Sequence, residues 1–135
     1  MNANCVGNKY PDSFGSFAVA NSQPVYLGAT GNAVATLAAV GTSYIVRRVT
    51  VANASGSVAL ANVTILTSND GNTSNAVTNA AALSTVTGTT KYQDLALSTA
   101  AASSVYSGPL FVYVGTAAAA NNSVEVTVYG DVVNL

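Results

Sequence analysis

From Val124 to Tyr129 the chain reads Val-Glu-Val-Thr-Val-Tyr, with an apolar side chain at every second position. Side chains alternate across a strand, so this period gathers Val124, Val126 and Val128 on one face and Glu125, Thr127 and Tyr129 on the other. One face is dry and the other wet, a pattern distinct from a helix, whose apolar stripe repeats about every 3.6 residues. Similar short runs of β-branched and aromatic residues recur along the chain, divided by Gly, Asn, Ser and Ala. They predict strands at 25–27, 33–37, 44–52, 62–67, 92–97, 110–114 and 124–129. This is the signature of an all-β fold, an antiparallel β-sandwich or jelly-roll-like barrel. Helix is disfavoured because the straight-chain helix formers are scarce among so many β-branched residues, Gly, Asn and Ser. The Ala-rich stretches 77–83, 99–103 and 116–120 read as loops.

Residues 1–23 follow neither period and mix Asn, Gly, Pro, Asp and Ser with isolated aromatics. They predict an extended N-terminal arm ahead of a single β-domain at 24–135. A chain of 135 residues can bury one core, about two-thirds of its unfolded surface. Within the arm, Tyr10, Phe14 and Phe17 are the large apolar groups that gain most by entering a partner's groove, which makes them candidate partner-binding residues. An arm that only docks should be removable without unfolding the β-domain.

Charged residues make up 7% of the chain, where soluble domains carry about 25%. The surface must therefore be built from Ser, Thr, Asn and Ala, and weak charge repulsion favours association. A homo-oligomer, with a trimer foremost, is the expected state. Lys9, Arg47, Arg48 and Lys91 are the only basic residues, too scattered to neutralise a phosphate backbone at a net charge of -1, so nucleic-acid binding is not expected. With no His and only Cys5, the common zinc sites and an internal disulfide are both ruled out. Although mean hydropathy is +0.39, Ser, Thr, Asn and Gly interrupt every apolar run before it reaches about 18 residues, so no membrane span is expected. The first residues, Met-Asn-Ala-Asn-Cys-Val-Gly, lack the basic and apolar regions of a signal peptide, and the expectation is synthesis in the cytoplasm.

Without His, the usual general base and the Ser-His-Asp and Cys-His arrangements are missing. A pair of acids, Asp94 with Glu125 or Asp131, is the remaining catalytic possibility, since glycosidases need two carboxyl groups at a set separation. Such sites also need aromatic platforms and a cleft, and a chain without Trp has little material for either. The expectation is therefore a protein without catalytic residues, cofactor or metal. Asn69-Asp70-Gly71-Asn72 offers calcium-type oxygens but lacks the closing Glu and alternating acids of a calcium loop, so a type I′ or bulged hairpin turn is the better reading. The triplets at Asn53, Asn62, Asn72 and Asn121 match the glycosylation pattern, as chance allows in a chain this rich in Asn, Ser and Thr.

Arg47-Arg48 is the oddity of the predicted strand 44–52. Strict alternation puts Tyr44, Val46, Arg48 and Thr50 on one face and Ile45, Arg47, Val49 and Val51 on the other, so the arginines are expected to diverge. Arg47 would then need an acid partner at the rim of the core, while Arg48 would face outward with Tyr44 and Thr50 as a candidate partner-binding residue. Tyrosine supplies 7 of the 10 aromatics, and Tyr26, Tyr44, Tyr92, Tyr106, Tyr113 and Tyr129 lie in or beside strands, suited to capping a core with the hydroxyl in water.

Taken together, Tyr44 to Gly56, Lys91 to Leu97, Leu110 to Thr116 and Val124 to Asp131 give residues 25–135 a texture that resembles the small β-rich virion proteins of tailed bacteriophages. The resemblance is greatest to the head decoration, or cement, proteins. It implies a non-enzymatic subunit on the capsid surface of a virion, made in the host cytoplasm and binding copies of itself, often as a trimer, and the major capsid protein. Phage tail and fibre modules share this texture. The alternative is a tail or host-attachment module that binds a bacterial surface glycan or protein.

Overall fold

A computed structural model describes residues 17–21, 24–39, 43–87, 89 and 91–133. Among them are nine strands: β1 (Phe17–Asn21), β2 (Val25–Tyr26), β3 (Gly31–Ala39), β4 (Tyr44–Ala52), β5 (Asn62–Leu66), β6 (Ala81–Ala82), β7 (Tyr92–Leu95), β8 (Leu110–Thr116) and β9 (Ser123–Val132). The fold is all-β, with each strand pairing antiparallel. Hydrogen bonding runs in the order β6-β5-β8-β3-β1-β9-β4-β7, with β2 alongside the start of β9.

The two ends of that path are joined. Ala76 bridges to Leu66 at the end of β5, and Thr78 bridges to Leu97 just past β7. Val77 donates its backbone N–H to Ile65 O at 2.7 Å, and Ser98 donates back to Val77 O at 2.8 Å. The segment 76–79 therefore closes the circuit into a barrel through single bridges, while β6 and β7 themselves each keep a ladder partner on one side only. The Thr78 hydroxyl, fully buried, accepts the Ile65 N–H at 3.0 Å and so satisfies a donor inside the seam.

Inside lies one apolar cluster. β9 contributes Val124, Val126 and Val128, β8 contributes Leu110, Val112 and Val114, β5 contributes Val63 and Ile65, and β4 contributes Tyr44, Val46, Val49 and Val51. The valines of β9 are buried as their spacing predicts. Gln93 reaches across an open end: its amide donates to Ala82 O at 2.9 Å, and its carbonyl oxygen accepts from the Thr85 hydroxyl at 2.8 Å.

Two expectations change here. Phe17–Asn21, assigned from sequence to the arm, is a strand between β3 and β9, with Val19 and Ala20 buried in the core. After Phe17 its residues are small, and their alternation is broken by a bulge between Ala18 and Ala20, which hides the strand from a period-two reading. The stretch 77–83, read as a loop, supplies both β6 and the closing segment, because bridging needs backbone groups and not β-branched side chains. Of the two further Ala-rich stretches, 99–103 carries a short 3-10 turn at Ala100–Ser103.

Candidate docking face

The strand β4 settles the arginine question through a bulge. Val46 pairs with Gly130 and Arg48 with Tyr129, so Arg47 is an extra residue on β4 with no counterpart on β9. A bulge reverses which side chains face inward beyond it. Tyr44 and Val46 before it and Val49 and Val51 after it all enter the same core, although strict alternation would set them on opposite faces. Both arginines therefore emerge on the outer surface instead of diverging. Tyr44, expected outside beside Arg48, is fully buried, and its hydroxyl donates to Gly108 O at 2.9 Å.

The outer face of β7, β4 and β9, extended by β1 and β2, is laid out in rows set by the strand register. Arg48, Tyr129 and Ala18 form one row; Asp94, Thr50, Thr127 and Asn21 form the next; Tyr92, Ala52 and Glu125 form the third. Tyr26, opposite Ser123, continues the face at its far end. Tyr26 and Tyr92 are more than 60% exposed.

Polar side chains on this face are tied to one another. Arg47 Nε donates to Asp131 Oδ2 at 3.0 Å, across the bulge. Arg48 lies with its guanidinium carbon 4.7 Å from the Tyr129 ring centroid, a cation–π contact, and its Nε donates to Thr50 Oγ1 at 3.2 Å. The same Nε is 3.7 Å from Asp94 Oδ1, to which Thr50 donates its hydroxyl at 2.6 Å. Asn53, at a positive φ of 53° just past β4, donates its amide to Glu125 Oε1 at 2.9 Å. The chain places Arg47, Arg48, Asp94, Glu125 and Asp131 together here, although its charged residues are few.

Asp94 stands two strands away from both of its possible acid partners, and register puts its Cα about 12 Å from that of Glu125 and farther from that of Asp131. Each of the three carboxylates is held by a different group: Asp94 by Thr50, Glu125 by Asn53 and Asp131 by Arg47. At the 69–72 turn, Asp70 Oδ1 accepts from the Ser68 hydroxyl at 2.6 Å and the Asn72 N–H at 2.9 Å. Those bonds hold the Asp70 carboxyl below its ordinary value, the Ser68 bond contributing most. Gly71 takes a φ of 72°, and Asn72 caps the 3-10 turn Thr73–Asn75. The chain then returns to β5, so this is a wider hairpin loop in place of a two-residue turn. Among the described residues no group of three or more His, Cys, Asp or Glu could hold a metal. Asn121, in another of the triplets, accepts the Gly28 N–H at 3.1 Å and clamps two loops together.

Of the candidate partner-binding residues, Arg48 is exposed on the outer face, in the row at one end of it. Phe17 opens β1, its backbone paired with Gly130. Tyr10 and Phe14 lie outside the described residues. Sequence reasoning did not single out Tyr26 and Tyr92 as members of the same face as Arg48, because only the register aligns them. Comparison with models of known protein families, with curated proteins and with solved structures finds no match.

Proposed function

We propose that this chain is a non-enzymatic structural subunit that works by docking its outer sheet face, as a capsid decoration protein that binds the outside of a phage head and stabilises the shell. The observation that carries this reading is the concentration of Arg47, Arg48, Tyr26, Tyr92 and Tyr129 on one exposed face of a chain otherwise nearly free of charge. Tyr and Arg are the residue types enriched at protein interfaces, and a sheet face offers contact area without a cleft. The polar side chains on it are already hydrogen-bonded to each other, so covering them requires little rearrangement.

The likeness in texture to head decoration proteins supports the choice of partner, the major capsid protein together with further copies of this chain. Many symmetry-related copies would turn a modest affinity per site into shell stability. The test is to mix the purified protein with heads that lack it, pellet the heads and count bound copies by mass spectrometry. Saturation at on the order of hundreds of copies per head, with raised resistance of the heads to heat, is the expected result. Binding of only a handful of copies at a tail, or retention on bacterial surface glycan but not on heads, would replace this reading with that of a host-attachment module.

A further inference from the structure

The rows of the outer face carry unlike charge at their two ends. At one end stand Arg48, stacked on Tyr129, and the bulged Arg47 with its partner Asp131; at the other stand Glu125 and Tyr92 on either side of Ala52. Between them the middle row of Thr50 and Thr127 has short side chains. We propose that this face binds a second copy of itself about a twofold axis that crosses the strands at the Thr50 row, so that Arg48 of each copy meets Glu125 and Tyr92 of the other. This rests on the reading of the chain as a subunit that works through this face, and it names the first partner.

The geometry follows from the register. The Arg48 row and the Ala52 row are four residues apart on β4, about 13 Å, and lie on opposite sides of the Thr50 row. A twofold axis at that row reverses the strand direction and lays the Arg48 row of one copy over the Ala52 row of the other. Arg48 then descends onto Ala52, the smallest side chain of that row, with a carboxylate on one side and an exposed ring on the other. This is an isologous contact: each copy supplies both halves of the pairing, twice. Asp94, in the middle row, approaches its twin, and Arg48 of its own copy at 3.7 Å offsets that repulsion.

The 28 residues of β7, β4, β9 and β1, at about 3.3 Å each along strands about 4.8 Å apart, give a projected area of roughly 450 Å². That is below the roughly 800 Å² of accessible surface per partner found in stable complexes, so the dimer is expected to be a weak one that forms at micromolar concentration. Because the charge gradient runs along the strands, only antiparallel packing of two such faces pairs unlike ends. A threefold ring built through this face would not. This face therefore favours a dimer where composition and resemblance suggest a trimer.

Sedimentation velocity of the full chain over a range of micromolar concentrations tests this. A dimer is expected, weakening as salt is raised. Arg48→Glu and Glu125→Arg should each weaken it about tenfold or more, and the Arg48→Glu/Glu125→Arg double variant should recover most of the loss, because the swapped charges meet again across the axis. Thr127→Arg, which sets like charges near the axis, should give a monomer whose circular dichroism and melting match the parent; this variant stands in if a charge reversal perturbs folding. A parent chain that is monomeric or trimeric, or single reversals whose combination restores nothing, would overturn the proposal. Head binding by a parent chain that stays monomeric would leave the decoration role standing without it, and a dimer that ignores heads would do the reverse.

Discussion

Gly130 shows how one residue fixes the placement of two strands. It is buried on β9 opposite the bulge of β4, and a Cβ there would collide with the carbonyl oxygen of Ile45. Gly130→Ala should therefore force β4 outward and lower stability by about 3 kcal/mol in urea unfolding; a loss under about 1 kcal/mol would mean that β4 can give way. Tyr44 makes the complementary case on the inward side. Burial foremost, and the neighbouring Tyr106 next, push its phenol from 10.0 up to about 12. The folded-state value lies above the unfolded one, so the neutral phenol's contribution is complete below pH 10 and is lost as the pH climbs through 12, on the order of 2 kcal/mol in all. Tyr44→Phe should cost about 1 kcal/mol at neutral pH, through the lost bond to Gly108, and should flatten the fall in stability between pH 10 and 12. A variant that loses stability as steeply as the parent over that range would assign the alkaline transition to another tyrosine.

At the scale of the element, β4 is two regular half-strands of opposite phase joined at an arginine pair. Removing one of those arginines leaves Tyr-Ile-Val-Arg-Val-Thr-Val-Ala, in which Tyr44, Val46, Val49 and Val51 alternate without interruption and can pair with β9 in unbroken register. That deletion variant should stay folded and lose only about 1 kcal/mol, the scale of a partly exposed ion pair, with the dichroism of the parent; unfolding would mean that the bulge does more than reconcile the two phases. The same element marks how far the sequence could be read. The extent of β4 and the valine face of β9 were legible because each follows period two over several residues. The one-residue slip inside β4 was not, since an alternation rule applied through it turns one buried face into two half-polar ones, and so it put Tyr44 outside and the arginines apart. β1, β6 and the closing segment 76–79 were illegible for another reason: each is short, with Ala at the positions that would mark a face or a bulge that breaks the alternation, and their strands are defined by backbone bonds to distant partners. Of the docking face, Arg48 was legible as an outward residue, whereas its neighbours Tyr92 and Tyr26 join it only through cross-strand register.

For the whole molecule the consequence is a barrel whose closure depends on a strand near the start of the chain. Composition alone marks residues 1–23 as separable, and on that basis their removal would leave the β-domain intact. The pairing leads to a different expectation. β1 is the link between β3 and β9: Ala20 pairs with Ala39 on one side and Val128 on the other, and Val19 and Ala20 are buried beneath it. Truncation after residue 23 would unpair β9 over Thr127–Gly130, strip its valines of their cover and open the circuit between β3 and β9. Those backbone groups would be left to water, next to a core that was dry. A chain of this size has about 5 to 15 kcal/mol of net stability, and losing an internal strand of a closed barrel should consume most of it. A variant beginning at residue 24 is thus expected to lose its cooperative thermal transition and its β-type dichroism, while one beginning at residue 17 keeps every strand described and should retain both. If the shorter variant still melts cooperatively with unchanged dichroism, β3 and β9 must be able to pair directly, and β1 is an insertion into the barrel instead of a part of its frame.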